Sequence, residues 1–337
     1  MMSLKDWIND GEKFALVGLS VRTSTDFPHG RIAPNLWVLS ESRLVFPEDW
    51  TNWLGTIRAE NVADSNLLLM TKQASQTPDI LDGENQTLEH LVGLFYVGLL
   101  LASSFAAAHK PVMITGSRRG DDIGIRQSGD FDTPVPREFR PYPSITGSDI
   151  EDAARLGLKI LEMEQTRGRW RFFRVLHLYQ QTRTIPDLLE RIHQYARCID
   201  GLILPAPGRT KQQFKSRTEL FIGPGHHDFM GELYDVRSAV EHLHINRYLG
   251  TFNRDVRLEL LKKEAIAGYI ARTSLARIID NPALWGHFSD TASLETFWTL
   301  NAENRKNLWG PPIAVDDALQ EFNPEYISDA MLGKTET

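Results

Sequence analysis

Leu91 to Ala108 is the most apolar stretch of the chain, and Leu94-Phe95-Tyr96-Val97 followed by Leu99-Leu100-Leu101 leaves it no polar face. A helix that is hydrophobic all round must be buried, in a protein core or in a bilayer. The stretch just reaches the lower length limit for a bilayer span. Gly93, Gly98, Ser103 and Ser104 dilute it, and no basic cluster flanks it on one side. The expectation is therefore a core helix and no membrane span, which requires a domain deep enough to enclose the whole helix.

The flanking sequence supplies such a domain. Phe14–Val21, Leu36–Leu39 and Leu67–Met70 are short apolar runs, and Pro111–Thr115 is another. They read as buried strands, separated by turn chemistry at Pro28-His29-Gly30, Pro34-Asn35 and Pro47-Glu48-Asp49. Trp50 and Trp53 are expected to pack at the edge of this domain. A polar loop is predicted from Lys72 to Asn85, and a turn over Gly116–Asp122. That turn lacks the Gly-x4-Gly-Lys-Ser/Thr pattern of a phosphate-binding loop. Pro134, Pro136, Pro141 and Pro143 mark a linker, which bounds an N-terminal mixed α/β domain at residues 1–145.

Beyond the linker the periodicity is helical. Ser148 and Glu151 fit a capping box, and the helix they open runs through Ala154, Leu158 and Leu161. Arg169–Gln181 continues after Gly168. Pro186 starts a helix with a clear apolar stripe of Leu188, Leu189, Ile192, Tyr195, Ala196 and Ile199. A basic amphipathic helix near Lys211–Phe221, a Gly223-Pro224-Gly225 break, the stretch Phe229–Leu243 and a long helix over Asp255–Ile279 complete an all-α bundle of about five helices at residues 146–290. Residues 291–337 read as a C-terminal extension with a disordered end. At 337 residues the chain is long enough for two cores, so the predicted class is α+β.

Within Glu232–His244, Arg237 is followed by Ser238 and, five residues on, by His242. An arginine can clamp a phosphate and an imidazole can move a proton near neutral pH, so the pair suits phosphodiester chemistry without metal. Five residues span about 140° of a regular helix, so the two side chains do not share a face. Either the helix ends between them or a second chain completes the site. The plainer alternative is an i, i+4 pair of Arg237 with Glu241 beside an exposed His242.

Tyr234, Arg237-Ser238 and His242, with Asp187–Leu204 and Phe214-Lys215-Ser216-Arg217 upstream, resemble the Apea-like branch of the HEPN (higher eukaryote and prokaryote nucleotide-binding) families. The resemblance covers roughly residues 150 to 290. It departs at Leu243, where a glycine usually follows the histidine. Arg237 with His244 also fits the wider spacing, so either histidine can be the motif residue. The resemblance implies a HEPN-like bundle in which two motif helices meet across a homodimer interface. It further implies metal-independent endoribonuclease activity with Arg237 and His242 catalytic and Ser238, Asp200 and His244 supporting. It suits a toxin or antiviral defence effector with a nucleotidyltransferase-like antitoxin as partner, or else an inactive dimerisation or nucleotide- and RNA-binding module. Asp200 is expected to orient Arg237 or His242, or to be a plain helix-terminal acid.

A net charge of −7 argues against a protein that coats nucleic acid, although the field at a groove matters more than the total. Arg167, Arg169, Arg171 and Arg174 form one basic cluster. Arg209, Lys211, Lys215 and Arg217 form a second, and the latter four are the expected RNA-binding residues. Both clusters have solvated helix faces as their default reading. His226-His227-Asp228 with His242 and His244 has no spacing that fixes a metal geometry, so neither metal nor cofactor is expected. Cys198 is the single cysteine, which excludes an internal disulfide; with no signal peptide evident, the expected compartment is the cytoplasm.

Overall fold

The computed structural model describes residues 2–25, 27–40, 44–47, 49–134, 144–166, 168–243, 252–320 and 322. It is mixed α+β and divides into two compact units, Met1–Pro136 with Tyr142–Leu161 and Arg137–Pro141 with Glu162–Thr337. In the first unit the elements are β1 (Met2–Ser3), β2 (Glu12–Leu19), β3 (Gly30–Ala33), β4 (Leu36–Ser40), β5 (Leu44–Val45), α1 (Trp50–Leu54), α2 (Thr56–Ala63), β6 (Leu67–Ala74), α3 (Gly83–Ala102), β7 (Val112–Arg119), β8 (Asp122–Asp130) and α4 (Gly147–Glu164). Six strands form an antiparallel sheet in the order β3-β4-β6-β2-β7-β8. β1 pairs with β5 in parallel as a separate two-stranded ladder.

Both faces of the sheet are covered, which explains why its central strands read as continuous apolar runs. Ala15, Val17, Leu19, Leu67, Leu69 and Met113 pack with Leu88, Val92, Phe95 and Leu99 of α3. On the other face Phe14, Leu16, Leu68, Met70, Ile114 and Ile123 pack with Leu4, Trp50, Leu54 and Val62. Trp50 is buried and donates its indole N–H to the Ile123 carbonyl, whereas Trp53 is exposed.

Several boundaries differ from the sequence reading. The predicted loop from Lys72 to Asn85 is strand as far as Ala74, because the charge of Lys72 is neutralised in place. Lys72 Nζ bonds Glu12 Oε2 at 2.8 Å, and the fully buried Lys13 meets Asp82 at 2.7 Å and Glu84 at 3.0 Å. The predicted turn over Gly116–Asp122 is instead a hairpin that turns only at Gly120-Asp121. Gly116 is a packing glycine, since a Cβ there would lie 2.7 Å from the Phe14 ring. The core helix starts at Gly83 under an Asp82 cap and ends at Ala102. No helix among the described residues is long and apolar enough to cross a membrane.

α4 opens two residues earlier than expected. Thr146 N–H donates to Asp149 Oδ2 at 2.8 Å and Asp149 N–H to Thr146 Oγ1 at 3.2 Å, so Thr146 and Asp149 make the box assigned to Ser148 and Glu151. The greater part of α4 belongs to the first unit, not to the bundle predicted from residue 146. The reason is its contact with α3: Ile150, Ala153 and Ala154 enter the α3 core, and a Cβ at Gly98 would sit on the Ala153 carbonyl oxygen.

The second unit is helical: α5 (Trp170–Thr182), α6 (Leu188–Ile203), α7 (Thr210–Ile222), α8 (His227–Glu241), α9 (Arg254–Asp280), α10 (Pro282–Trp285), α11 (Thr291–Thr299), α12 (Ala302–Trp309) and α13 (Asp317–Gln320). α6 is central and packs against α5, α7, α8 and α9. The predicted extension is part of this unit up to residue 320. Trp309 stacks on Phe221 of α7 at 4.3 Å, Phe297 lies 5.2 Å from Phe288, and Ile313 N–H donates to the Phe221 carbonyl at 2.7 Å. The predicted disordered end lies outside the described residues.

Candidate functional site

α8 is anchored by Met230, Gly231 and Leu233, which are buried, while its second half is only half-buried. Leu243 is exposed: it lies past the helix end at φ 55°, the left-handed region that favours glycine. The helix ends at Glu241, with His242 as its cap. His242 N–H still donates to the Ser238 carbonyl at 3.0 Å, so helical register persists to His242, and Arg237 and His242 keep their angular separation. His242 is exposed and Arg237 half-buried. His244 lies outside the described residues, as does Arg167.

Arg237 is the centre of a charged cluster between α6 and α8. Its Nη2 lies 3.3 Å from Asp200 Oδ2 and its Nη1 3.1 Å from Glu241 Oε2. Both the interhelix contact expected of Asp200 and the i, i+4 pair with Glu241 are present. The guanidinium carbon sits 5.5 Å from the Tyr234 ring, which in turn is fixed by Thr210 at 2.7 Å and by Phe214. Glu241 also approaches His193 Nε2 at 3.7 Å, and His193 Nδ1 faces Glu190 at 3.5 Å. Burial pushes the Asp200 carboxyl up to about 6; the Arg237 charge opposes this and Glu241 adds to it. Asp200 Oδ1 and Arg237 Nε are buried without a hydrogen-bond partner among the described residues.

Sequence reasoning missed His193. The signal was present, because His193 and Asp200 are seven residues apart on a helix whose apolar stripe fixes its orientation, and seven residues return to the same face.

The basic residues separate. Lys211 pairs with Asp235 at 2.6 Å, and the stem of Lys215 lies along Gly231, so both face α8. Arg209 is exposed at the start of α7. Arg217 turns away to the end of α6 and to Trp298. Arg169 lies 5.0 Å from the Trp285 ring, Arg171 Nε donates to the Gly201 carbonyl at 3.0 Å, and Arg174 is exposed. His227 bonds Glu219. Among the described residues no group of three or more His, Cys, Asp or Glu is placed to hold a metal ion. No protein-family model matches the chain, and neither does any curated protein or solved structure.

Proposed function

We propose that the helical unit is a HEPN-like, metal-independent endoribonuclease that works as a homodimer. The observation that carries this reading is the Asp200–Arg237 contact at 3.3 Å, which holds a half-buried arginine from a second helix while His242 stands exposed at the end of the same α8. A guanidinium fixed in this way is suited to a phosphate or to the charge of a phosphorane. An exposed imidazole is suited to proton transfer at neutral pH. The ribose 2′-hydroxyl would attack the adjacent phosphate, with His242 taking or returning the proton, leaving a cyclic phosphate and a 5′-hydroxyl. Since Arg237 and His242 diverge on one helix, Arg237 of one protomer would work with His242 of its partner. Such an enzyme fits a cytoplasmic toxin or antiviral effector restrained by a nucleotidyltransferase-like antitoxin.

A second reading, a dimerisation or RNA-binding module without chemistry, draws on the same cluster. Two carboxylates already compensate the Arg237 charge. RNA cleavage in EDTA separates the two readings. The ribonuclease reading expects cleavage that EDTA leaves unchanged and that Arg237→Ala and His242→Ala each reduce by ~10²–10⁴-fold, with His244→Ala nearly silent. Absence of cleavage, with Arg237→Ala lowering Tm and breaking the dimer seen by light scattering, establishes the second.

A further inference from the structure

Away from the Arg237 cluster, two cations in the helical unit flank one indole, and among the described residues no anion is paired with either. Arg217 of α7 and Arg305 of α12 both lie against the indole of Trp298 of α11, their guanidinium carbons 5.0 and 5.5 Å from its ring centroid. Arg217 Nη1 donates to the carbonyls of Ile203, at 2.7 Å, and Leu204, where α6 ends. Arg305 Nη1 donates to the carbonyls of Trp298, at 2.9 Å, and Leu300, where α11 ends. Helix C-termini carry partial negative charge, so each arginine is held in place and only partly compensated.

Among the described residues no carboxylate pairs with either arginine. The two charges oppose each other: burial, and then the charge of Arg305, push the Arg217 pKa down. Trp298 Nε1 is buried and has no acceptor among the described residues. Such a like-charge pair is unfavourable unless something offsets it, and its occurrence in a chain of net charge −7 is a local choice, not a consequence of composition. Each guanidinium spends Nη1 on carbonyls, which leaves the Nε–Nη2 edge. That edge is the fork that takes two oxygens of one oxyanion.

We propose that Arg217 and Arg305, backed by Trp298, form a phosphate-binding site for a nucleotide or for the backbone of a nucleic acid. Two full positive charges match a phosphate dianion or two adjacent backbone phosphates. None of these contacts involves Arg237 or His242. The Trp298 ring is occupied by the arginines, so it serves as the back wall and not as a surface for stacking bases.

The test uses the full chain, tryptophan fluorescence, and two probes: inorganic phosphate and a short single-stranded deoxyoligonucleotide. The latter lacks the 2′-hydroxyl that the proposed cleavage needs, so binding is read without turnover and a failure of the ribonuclease reading leaves the result intact. The expected result is a saturable change with at least one probe. Phosphate alone identifies a small phosphorylated ligand, and a response to the oligonucleotide identifies a nucleic-acid backbone. Arg305→Gln should weaken binding about tenfold or more, the usual effect of losing a charge-assisted contact. It should also lower the salt dependence by about 0.7 for each backbone phosphate released.

Arg305→Gln also removes the bonds that hold the end of α11, so Arg305→Lys and Trp298→Phe are measured alongside. Arg305→Lys should bind, more weakly, and Trp298→Phe should silence the fluorescence response. The proposal is overturned if neither probe binds the unmodified chain, if Arg305→Gln binds as well as the unmodified chain, or if Trp298→Phe leaves the response intact.

Discussion

Asp200 and Arg237 meet across two helices at 3.3 Å, yet the carboxyl is pushed up to about 6, because burial outweighs the attraction of the guanidinium and Glu241 adds repulsion. Their side chains are only 16% and 19% exposed, so water does little to screen the balance. The ion pair is therefore held at a cost to stability.

The cost sets a pH dependence. An unfolded Asp titrates near ~3.9, so between about pH 4 and 6 the folded chain binds more protons at Asp200 than the unfolded chain does. Stability from this group is therefore greatest below about pH 4 and falls as pH rises through 6, by about 3 kcal/mol in all. Asp200→Asn removes that contribution. Urea unfolding of both proteins at pH 4.5 and pH 7 should show a larger decline in the unmodified chain; equal declines would refute the assignment.

The close crossing of α3 and α4 in the first unit predicts that Gly98→Ala is destabilising, although alanine favours helix. The new methyl would meet the backbone oxygen of Ala153, which cannot rotate away. Overpacking of this kind typically costs ~1–3 kcal/mol. Thermal unfolding should give a lower Tm for Gly98→Ala, while the same change at exposed Gly83, where a Cβ meets nothing, should not lower it.

Arg191 and Glu264 form a buried pair at 3.2 Å, 4% and 2% exposed, that ties α6 to α9. Glu264→Gln leaves the guanidinium uncompensated, at an expected cost of ~3–5 kcal/mol. Replacing both residues by methionine should cost less than the single change. The double-mutant cycle in chemical denaturation decides it, and additive losses would mean that the pair is not coupled.

Trp309 on Phe221 predicts that residues 291–320 are required by the helical unit. Trp309→Ala should cost ~3–5 kcal/mol, as for other buried aromatics. A chain ending at residue 290 should lose cooperative unfolding of that unit, and one ending at 322 should keep it. Circular dichroism during heating distinguishes the two.

Much of this architecture was legible in the sequence. The runs at Phe14, Leu36, Leu67 and Pro111 became strands, and the apolar run after Leu91 became most of the core helix. The stripe from Leu188 to Ile199 fixed the buried face of α6, and with it the common face of His193 and Asp200. Periodicity and caps are short-range properties, so they can be read from residues a few positions apart. Tertiary structure decided what those elements pack against. Nothing near Gly147 says that α4 would join α3, since that depends on Gly98, far back in the chain. Nor does the basic run Arg209–Arg217 say that Lys211 would turn to Asp235 and Arg217 to Trp298 and Arg305. Partner choice of this kind is made between segments distant in sequence, where the free energy of burial and charge pairing exists only once the elements have docked.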